Sequence, residues 1–271
     1  MKKCIALAKS VYHCIQRLYK RITLEHTPAS VLCRIKYRKK LQSLQNIHSG
    51  KRCFIIGNGP SLTPSDLNLI KKEYSFAANR IFYMFDKTDW RPTYFCAQDK
   101  DVIMDSAKDF NVFLDVCDNL FFINDSKRLI PKKIADDIKT IFFCAKYVSA
   151  HKERLFSSDI SSYISGGGTV TYASIQIAAY MGFKEIYLLG VDHNYASDSF
   201  NNGTISMDDI RKSYFEGMPE GIKLTKPNPD NATISYLRAK EYCQANGVKI
   251  MNATRGGKLE VFPRVALEEI I

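Results

Sequence analysis

The chain has 271 residues, of which 45% are hydrophobic and 25% charged, and a formal net charge of +11. That length buries a full core and suits one large domain with an appendage. Residues 1–52 hold 13 Lys or Arg and one acid, Glu25, whereas residues 53–271 hold 26 basic and 27 acidic side chains. The basicity is thus confined to the N-terminus, and no aromatic RNA-binding signature accompanies it, so nucleic acid is not expected as a partner.

Residues 1–50 read as a basic amphipathic helical extension. Ile5, Leu7, Val11, Ile15 and Leu18 are interleaved with Lys2, Lys3, Lys9, Arg17 and Lys20. Such a helix suits an anionic membrane surface, reached through residues 1–40. No stretch is long and apolar enough to span a bilayer. Lys9 and His13 interrupt the apolar run that a signal peptide would need.

The body, residues 51–271, opens on Phe54-Ile-Ile-Gly-Asn-Gly-Pro-Ser-Leu62. A buried strand running into Gly57-Asn58-Gly59 predicts free backbone N–H groups at its carboxyl end, where open α/β sheets bind nucleotides. Gly57 and Gly59 would permit positive φ and close approach of a ligand. Leu62 stands where the dinucleotide fingerprint has a third Gly, and no Gly-Lys-Ser/Thr follows, so neither that motif nor a P-loop is present. Ser61 joins Asn58 as a polar group of this turn.

Further apolar runs follow at Ser75–Ala78, Tyr94–Ala97, Leu120–Ile123, Thr140–Cys144, Ile186–Leu189 and Val248–Met251. Their alternation with helical stretches predicts a Rossmann-like, mostly parallel sheet with helices on both faces, in one α/β domain. Ser165-Gly166-Gly167-Gly168-Thr169 leads into a helix ending near Met181, before Gly182. It makes a second candidate anion cradle. Asn79, Asp99 and Asp192 follow predicted strand ends. Strand ends of a parallel sheet share one rim, so these side chains are expected to converge on ribose hydroxyls, a base edge or a divalent cation. His193 is a candidate general base or acid. Residues 198–232 read as a lid-like loop, and Ile234–Ala245 as a late helix. The eight cysteines form no Cys-x-x-Cys pair and read as reduced core residues. No metal site is assigned.

Ile55–Leu62, Asn79, Ile164–Gly167 and Ala178–Asp192 together resemble a superfamily with several branches. These are the family-42 bacterial sialyltransferases, the archaeal 6-hydroxymethylpterin diphosphokinase-like (MptE-like) domains, and the motility accessory factors linked to flagellin glycosylation. The pattern covers roughly residues 51–252 and is shared by the branches. In the sialyltransferases the matching positions bind nucleotide, which implies that role for Asn58, Asn79, Ser165 and Gly166. That branch also carries tyrosines after its Gly-x-Asp and a catalytic His before the late helix. This chain has His193-Asn194-Tyr195 instead, and no His in 198–232.

The expectation is a cytoplasmic transferase, peripheral on the inner membrane face, using a nucleotide-activated donor. A CMP-sugar glycosyltransferase of surface polysaccharide or lipooligosaccharide synthesis is favoured, with a glycan or glycolipid acceptor. His193 and Asp192 are assigned to catalysis. Gly57, Asn58, Gly59, Ser61, Asn79, Asp99, Ser165, Gly166, Gly167 and Thr169 are assigned to nucleotide binding. No cofactor is required in this reading. The alternatives are an ATP- and Mg-dependent diphosphokinase-like phosphoryl transferase, with Asp99 and Asp192 as metal ligands, and a non-catalytic nucleotide-binding accessory protein.

Overall fold

The computed structural model describes residues 27–147, 155–194, 212–219, 222 and 228–271. Most of the N-terminal basic segment, and the lid-like loop apart from 212–219, 222 and 228–232, lie outside these residues.

Helix α1 (Pro28–Gln42) starts with Pro at its first position and with the Thr27 hydroxyl accepting from the Ser30 N–H. Its buried face, Cys33, Tyr37 and Leu41, packs on the edge of the sheet. Residues 28–42 therefore pack as part of the α/β body, although the sequence grouped them with the extension. Their three apolar positions are spaced by four, a pattern masked by the surrounding Lys and Arg.

The chain then alternates strands and short helices: β1 (Arg52–Ile56), α2 (Pro64–Leu69), β2 (Ser75–Ala78), β3 (Tyr94–Ala97), α3 (Lys100–Ser106), α4 (Val112–Val116), β4 (Asn119–Ile123), α5 (Lys132–Ala135) and β5 (Thr140–Phe143). A small parallel pair follows, β6 (Ala145–Lys146) with β7 (Ile164–Ser165). The long helix α6 (Val170–Tyr180), β8 (Glu185–Leu189), helix α7 (Pro229–Ala245) and β9 (Lys249–Asn252) complete the body.

Among the described residues, seven strands form one sheet in the order β5-β4-β3-β2-β1-β8-β9. Every pairing in it is parallel. The inner strands are buried at nearly every position, which is why they read as unbroken apolar runs and not as alternation. All seven strands lie where the apolar runs predicted them, within a residue or two.

The order carries one functional consequence. From β1 the chain builds outward to β5, then returns to add β8 and β9 on the other side of β1. The strand order thus reverses between β1 and β8, and the carboxyl ends of these strands flank the crevice where doubly wound sheets bind ligands. Helix α6 lies over β1, β2 and β3, with nine of its eleven residues buried. Helix α7 packs on α6 and β9. It begins at Pro229, five residues before the predicted start. Asn228 caps it by accepting from the Asn231 N–H at 3.0 Å, and its polar first turn resembled loop in the sequence.

Candidate functional site

The loops leaving β1 and β8 are fused by hydrogen bonds. The Gly57 N–H donates to Leu189 O at 2.8 Å, and the Gly59 N–H to Gly190 O at 2.9 Å. These two amides are therefore engaged, which corrects the expectation of free donors in the glycine turn. Neither Gly57 nor Gly59 has positive φ. They are glycines because the neighbouring loop is in the way. A Cβ on Gly57 would lie 2.3 Å from Gly190 O, and one on Gly59 would lie 1.9 Å from Asp192 Oδ2. The positive φ falls instead on Gly190, at 67°.

Asp192 completes this junction. Its carboxylate accepts from Ser61 Oγ at 2.8 Å, and its carbonyl accepts from the Lys258 N–H at 2.7 Å. Burial pushes its pKa above the ordinary aspartate value, and the Ser61 bonds pull against that rise. The structure thus gives Asp192 and Ser61 a shared place, bracing the β1 loop against the β8 loop.

A cavity opens at this rim. Asn58, Asn79, Thr169, Asp192, His193 and Tyr214 are among its lining residues. Asn58 Nδ2 donates to Ala78 O at 3.0 Å, which fixes the amide plane. Its Oδ1 is buried and has no hydrogen-bond partner among the described residues, and the same holds for Asn79 Oδ1. Asn79 sits in the left-handed region at φ 53°, and His193 at φ 52°. Non-glycine residues in that region cluster at functional sites, and Asn tolerates it best. Both asparagines line the cavity, and their buried amide oxygens are acceptors without a donor among the described residues, of the kind ribose hydroxyls or an exocyclic amine would satisfy.

The opposite wall is the start of α6. Thr169 caps that helix, and Val170 and Thr171 also line the cavity. An 11-residue helix presents partial positive charge at this end. His193 closes the site together with α7. Its Nε2 lies 2.7 Å from Thr233 Oγ1, and that hydroxyl donates to Pro229 O at 2.9 Å. In the tautomer that keeps the Thr233 proton on Pro229 O, Nε2–H donates to Thr233 and the lone pair is on Nδ1. Burial lowers the His193 pKa, with Asp230 opposing, so the imidazole is neutral at pH 7.

Other predicted site residues stand elsewhere. The Asp99 carboxylate caps α3, accepting from the Asp101 and Val102 N–H groups at 2.9 and 3.3 Å, and is not among the cavity lining. Ser165, Gly166 and Gly167 also lie outside the lining. The Ser165 N–H and carbonyl are clamped by the side-chain amide of Gln176, each at 2.9 Å, and the Gly166 N–H donates to Lys146 O. This leaves the proposed second cradle with few free amides. Its glycines serve packing, since a Cβ would strike the Tyr147 ring at Gly166, and Tyr172 and Ser235 at Gly167. Ser165 Oγ is buried without a hydrogen-bond partner among the described residues.

Sequence reasoning missed Gln176, Tyr214 and Tyr236. A fully buried glutamine inside Ile-Gln-Ile-Ala-Ala was a legible signal, because it must satisfy its amide internally. Tyr214 lay in a segment read only as lid. The next residue, Phe215, donates its N–H to Asn58 O at 3.1 Å, docking this segment on the glycine turn. Among the described residues, no group of three His, Cys, Asp or Glu is placed to hold a metal, and no helix is long and apolar enough to cross a membrane.

The family model described as 6-hydroxymethylpterin diphosphokinase MptE-like matches residues 31–198, more than half of the chain. This chain belongs to the MptE-like family. The match takes in most of α1, β1 to β8 and the cavity's Asn58, Asn79, Asp192 and His193. No curated protein sequence matches this MptE-like chain. Among solved structures it is similar to the MAf glycosyltransferase from Magnetospirillum magneticum AMB-1, at 15% identity and a TM-score of 0.51. That alignment covers 87% of this chain and 39% of that protein. It is also similar to the sialyltransferase CstII from Campylobacter jejuni, solved with the substrate analogue CMP-3FNeuAc, at 16% identity and a TM-score of 0.48, covering 80% and 86% of the two chains. The monofunctional alpha-2,3-sialyltransferase Cst-I from the same organism matches at 16% identity and a TM-score of 0.45, covering 80% and 81%. This MptE-like chain therefore has a fold shared with a glycosyltransferase.

Proposed function

We propose that this protein is a transferase that uses a nucleotide-activated sugar, with a CMP-sugar as the favoured donor and a saccharide or glycolipid hydroxyl as acceptor. The observation that carries this reading is the pair of bare amide oxygens on Asn58 and Asn79, set in one cavity with His193. The asparagines would hold the nucleoside. The start of α6 would face the donor phosphate, taking the place of the glycine-turn amides that are already engaged.

His193 Nδ1 would accept the proton of the acceptor hydroxyl as its oxygen bonds to the anomeric carbon. The bond from that carbon to the phosphate oxygen breaks, and its electron pair leaves on CMP. The low pKa of His193 keeps the imidazole in the basic form at neutral pH. Tyr214 and Phe215 bring the segment after Lys212 over the nucleotide side.

The family name favours a second reading, diphosphoryl transfer from Mg-ATP to a pterin alcohol with release of AMP. Asp99, one of its two candidate metal ligands, is turned into the first turn of α3, and Asp192 is held by Ser61. For that reason we rank this reading second. A place in surface-polysaccharide synthesis, cytoplasmic and at an anionic membrane through the basic N-terminus, belongs to the same proposal.

The test is CMP release from CMP-N-acetylneuraminate and a saccharide acceptor, without added metal. Wild-type protein should turn over, and His193→Ala should lose about 10²- to 10⁴-fold in rate, as removal of a general base does. Release unaffected by His193→Ala would remove the histidine from the mechanism. Pterin-dependent AMP formation from Mg-ATP would replace the reading altogether.

A further inference from the structure

His193 borders two cavities. One holds Asn58 and Asn79. The other is a groove lined by Thr233, Leu237 and Lys240 from α7 and by Lys258, Leu259 and Glu260 from the segment after β9. The proposed donor leaves this groove unused.

Its chemistry is two-part. Leu259 is buried and Leu237 is 45% exposed, which gives the groove an apolar floor. Lys240 and Lys258 line it as well, each carrying an ammonium group. The one acid in the lining, Glu260, is already paired with Arg264 at 2.6 Å. Among the described residues, no acidic side chain forms an ion pair with either lysine. The groove therefore offers net positive charge next to an apolar surface, within reach of the histidine assigned to proton abstraction. A sugar ring packs its C–H face on apolar side chains, and a carboxylate or phosphate on that ring would be held by the two lysines.

We infer that this groove receives the acceptor, and that the acceptor is an anionic saccharide carrying a carboxylate or phosphate near the accepting hydroxyl. This rests on the transferase reading above. The hydroxyl is presented where His193 separates the groove from the donor cavity. The Lys258 N–H bond to the Asp192 carbonyl ties the groove wall to the donor-side loop, so both cavities share one frame.

Saturation-transfer NMR on the full chain with CMP present tests the inference, with glucuronate, glucose 6-phosphate and glucose as probes. Transfer to one or both anionic sugars, and little to glucose, is expected. The stronger of the two identifies carboxylate or phosphate. Lys240→Ala and Lys258→Ala should each cut that signal at least threefold, Lys258→Arg should restore it, and the CMP signal should persist in all variants. Equal signals from glucose, no saccharide signal, or anionic signals indifferent to both alanine variants would overturn the acceptor inference while CMP binding stands. Loss of the CMP signal in wild-type protein, with the anionic signal retained, would instead overturn the donor reading.

Discussion

Asn79 lines the cavity and is held at φ 53°, in the left-handed region, with its amide oxygen buried and without a hydrogen-bond partner among the described residues. An alanine there keeps the strain and loses the amide, whereas a glycine relieves the strain and loses the amide. Left-handed backbone costs a non-glycine residue about 1–2 kcal/mol. Asn79→Gly should therefore unfold at or above the wild-type temperature yet lose nucleotide affinity, whereas Asn79→Ala should lose affinity without that gain in stability. Calorimetric melting paired with nucleotide titration checks both. An Asn79→Gly protein that still binds would make Asn79 a turn residue only. His193 gives a prediction in pH. Its folded pKa lies below the ordinary 6.5, so the unfolded chain binds more protons between the two values. Its contribution to stability is complete above pH 6.5 and is lost as pH falls below it. Urea unfolding should show wild type losing more stability than His193→Gln between pH 7 and 5.5. Asp192 works in the opposite sense and in a lower window. Its folded pKa is raised above 3.8, so ionising it costs stability as pH rises through that range.

Elements differed in how much of their position the sequence carried. The seven strands were plain because central parallel strands are buried on both faces and appear as short apolar runs bounded by turns. The glycine turn was located correctly, but its reason was not visible. Gly57 and Gly59 yield to Gly190 and Asp192, which are more than 130 positions away, and no local pattern records that contact. Asp99 looked like a rim ligand because it follows a strand, yet the same position is the N-cap of α3, where local amides claim the carboxylate. Helix α1 was grouped with the basic extension because its exposed face dominates its composition, while Cys33, Tyr37 and Leu41 reach the core. That distinction has a consequence. Removal of residues 1–26 should leave the fold intact, with a melting temperature within a few degrees of wild type. Removal of residues 1–40 strips Cys33 and Tyr37 from the edge of the sheet and should destabilise by several kcal/mol, at about 2–5 kcal/mol for each large buried residue. Equal melting of the two truncations would contradict the packing of α1. The shorter truncation is also the right one for testing membrane attachment, because loss of vesicle binding in it cannot be ascribed to a damaged core.

At the scale of the whole molecule, the strand order brings these parts together. Reversal between β1 and β8 sets the two loops side by side, and Asp192 with Ser61 locks them. The long buried helix α6 then delivers its capped end, while α7 returns across the site with Thr233 to orient His193. The proposed donor cavity and the proposed acceptor groove meet at that histidine. The central claim is that the crevice holds the nucleotide of a sugar donor, and calorimetric titration with CMP, beside Mg-ATP, tests it most directly. The account predicts a single-site CMP isotherm without added metal, weakened about tenfold by Asn58→Ala, or about 1.4 kcal/mol. Tight binding of Mg-ATP with CMP ignored would contradict it.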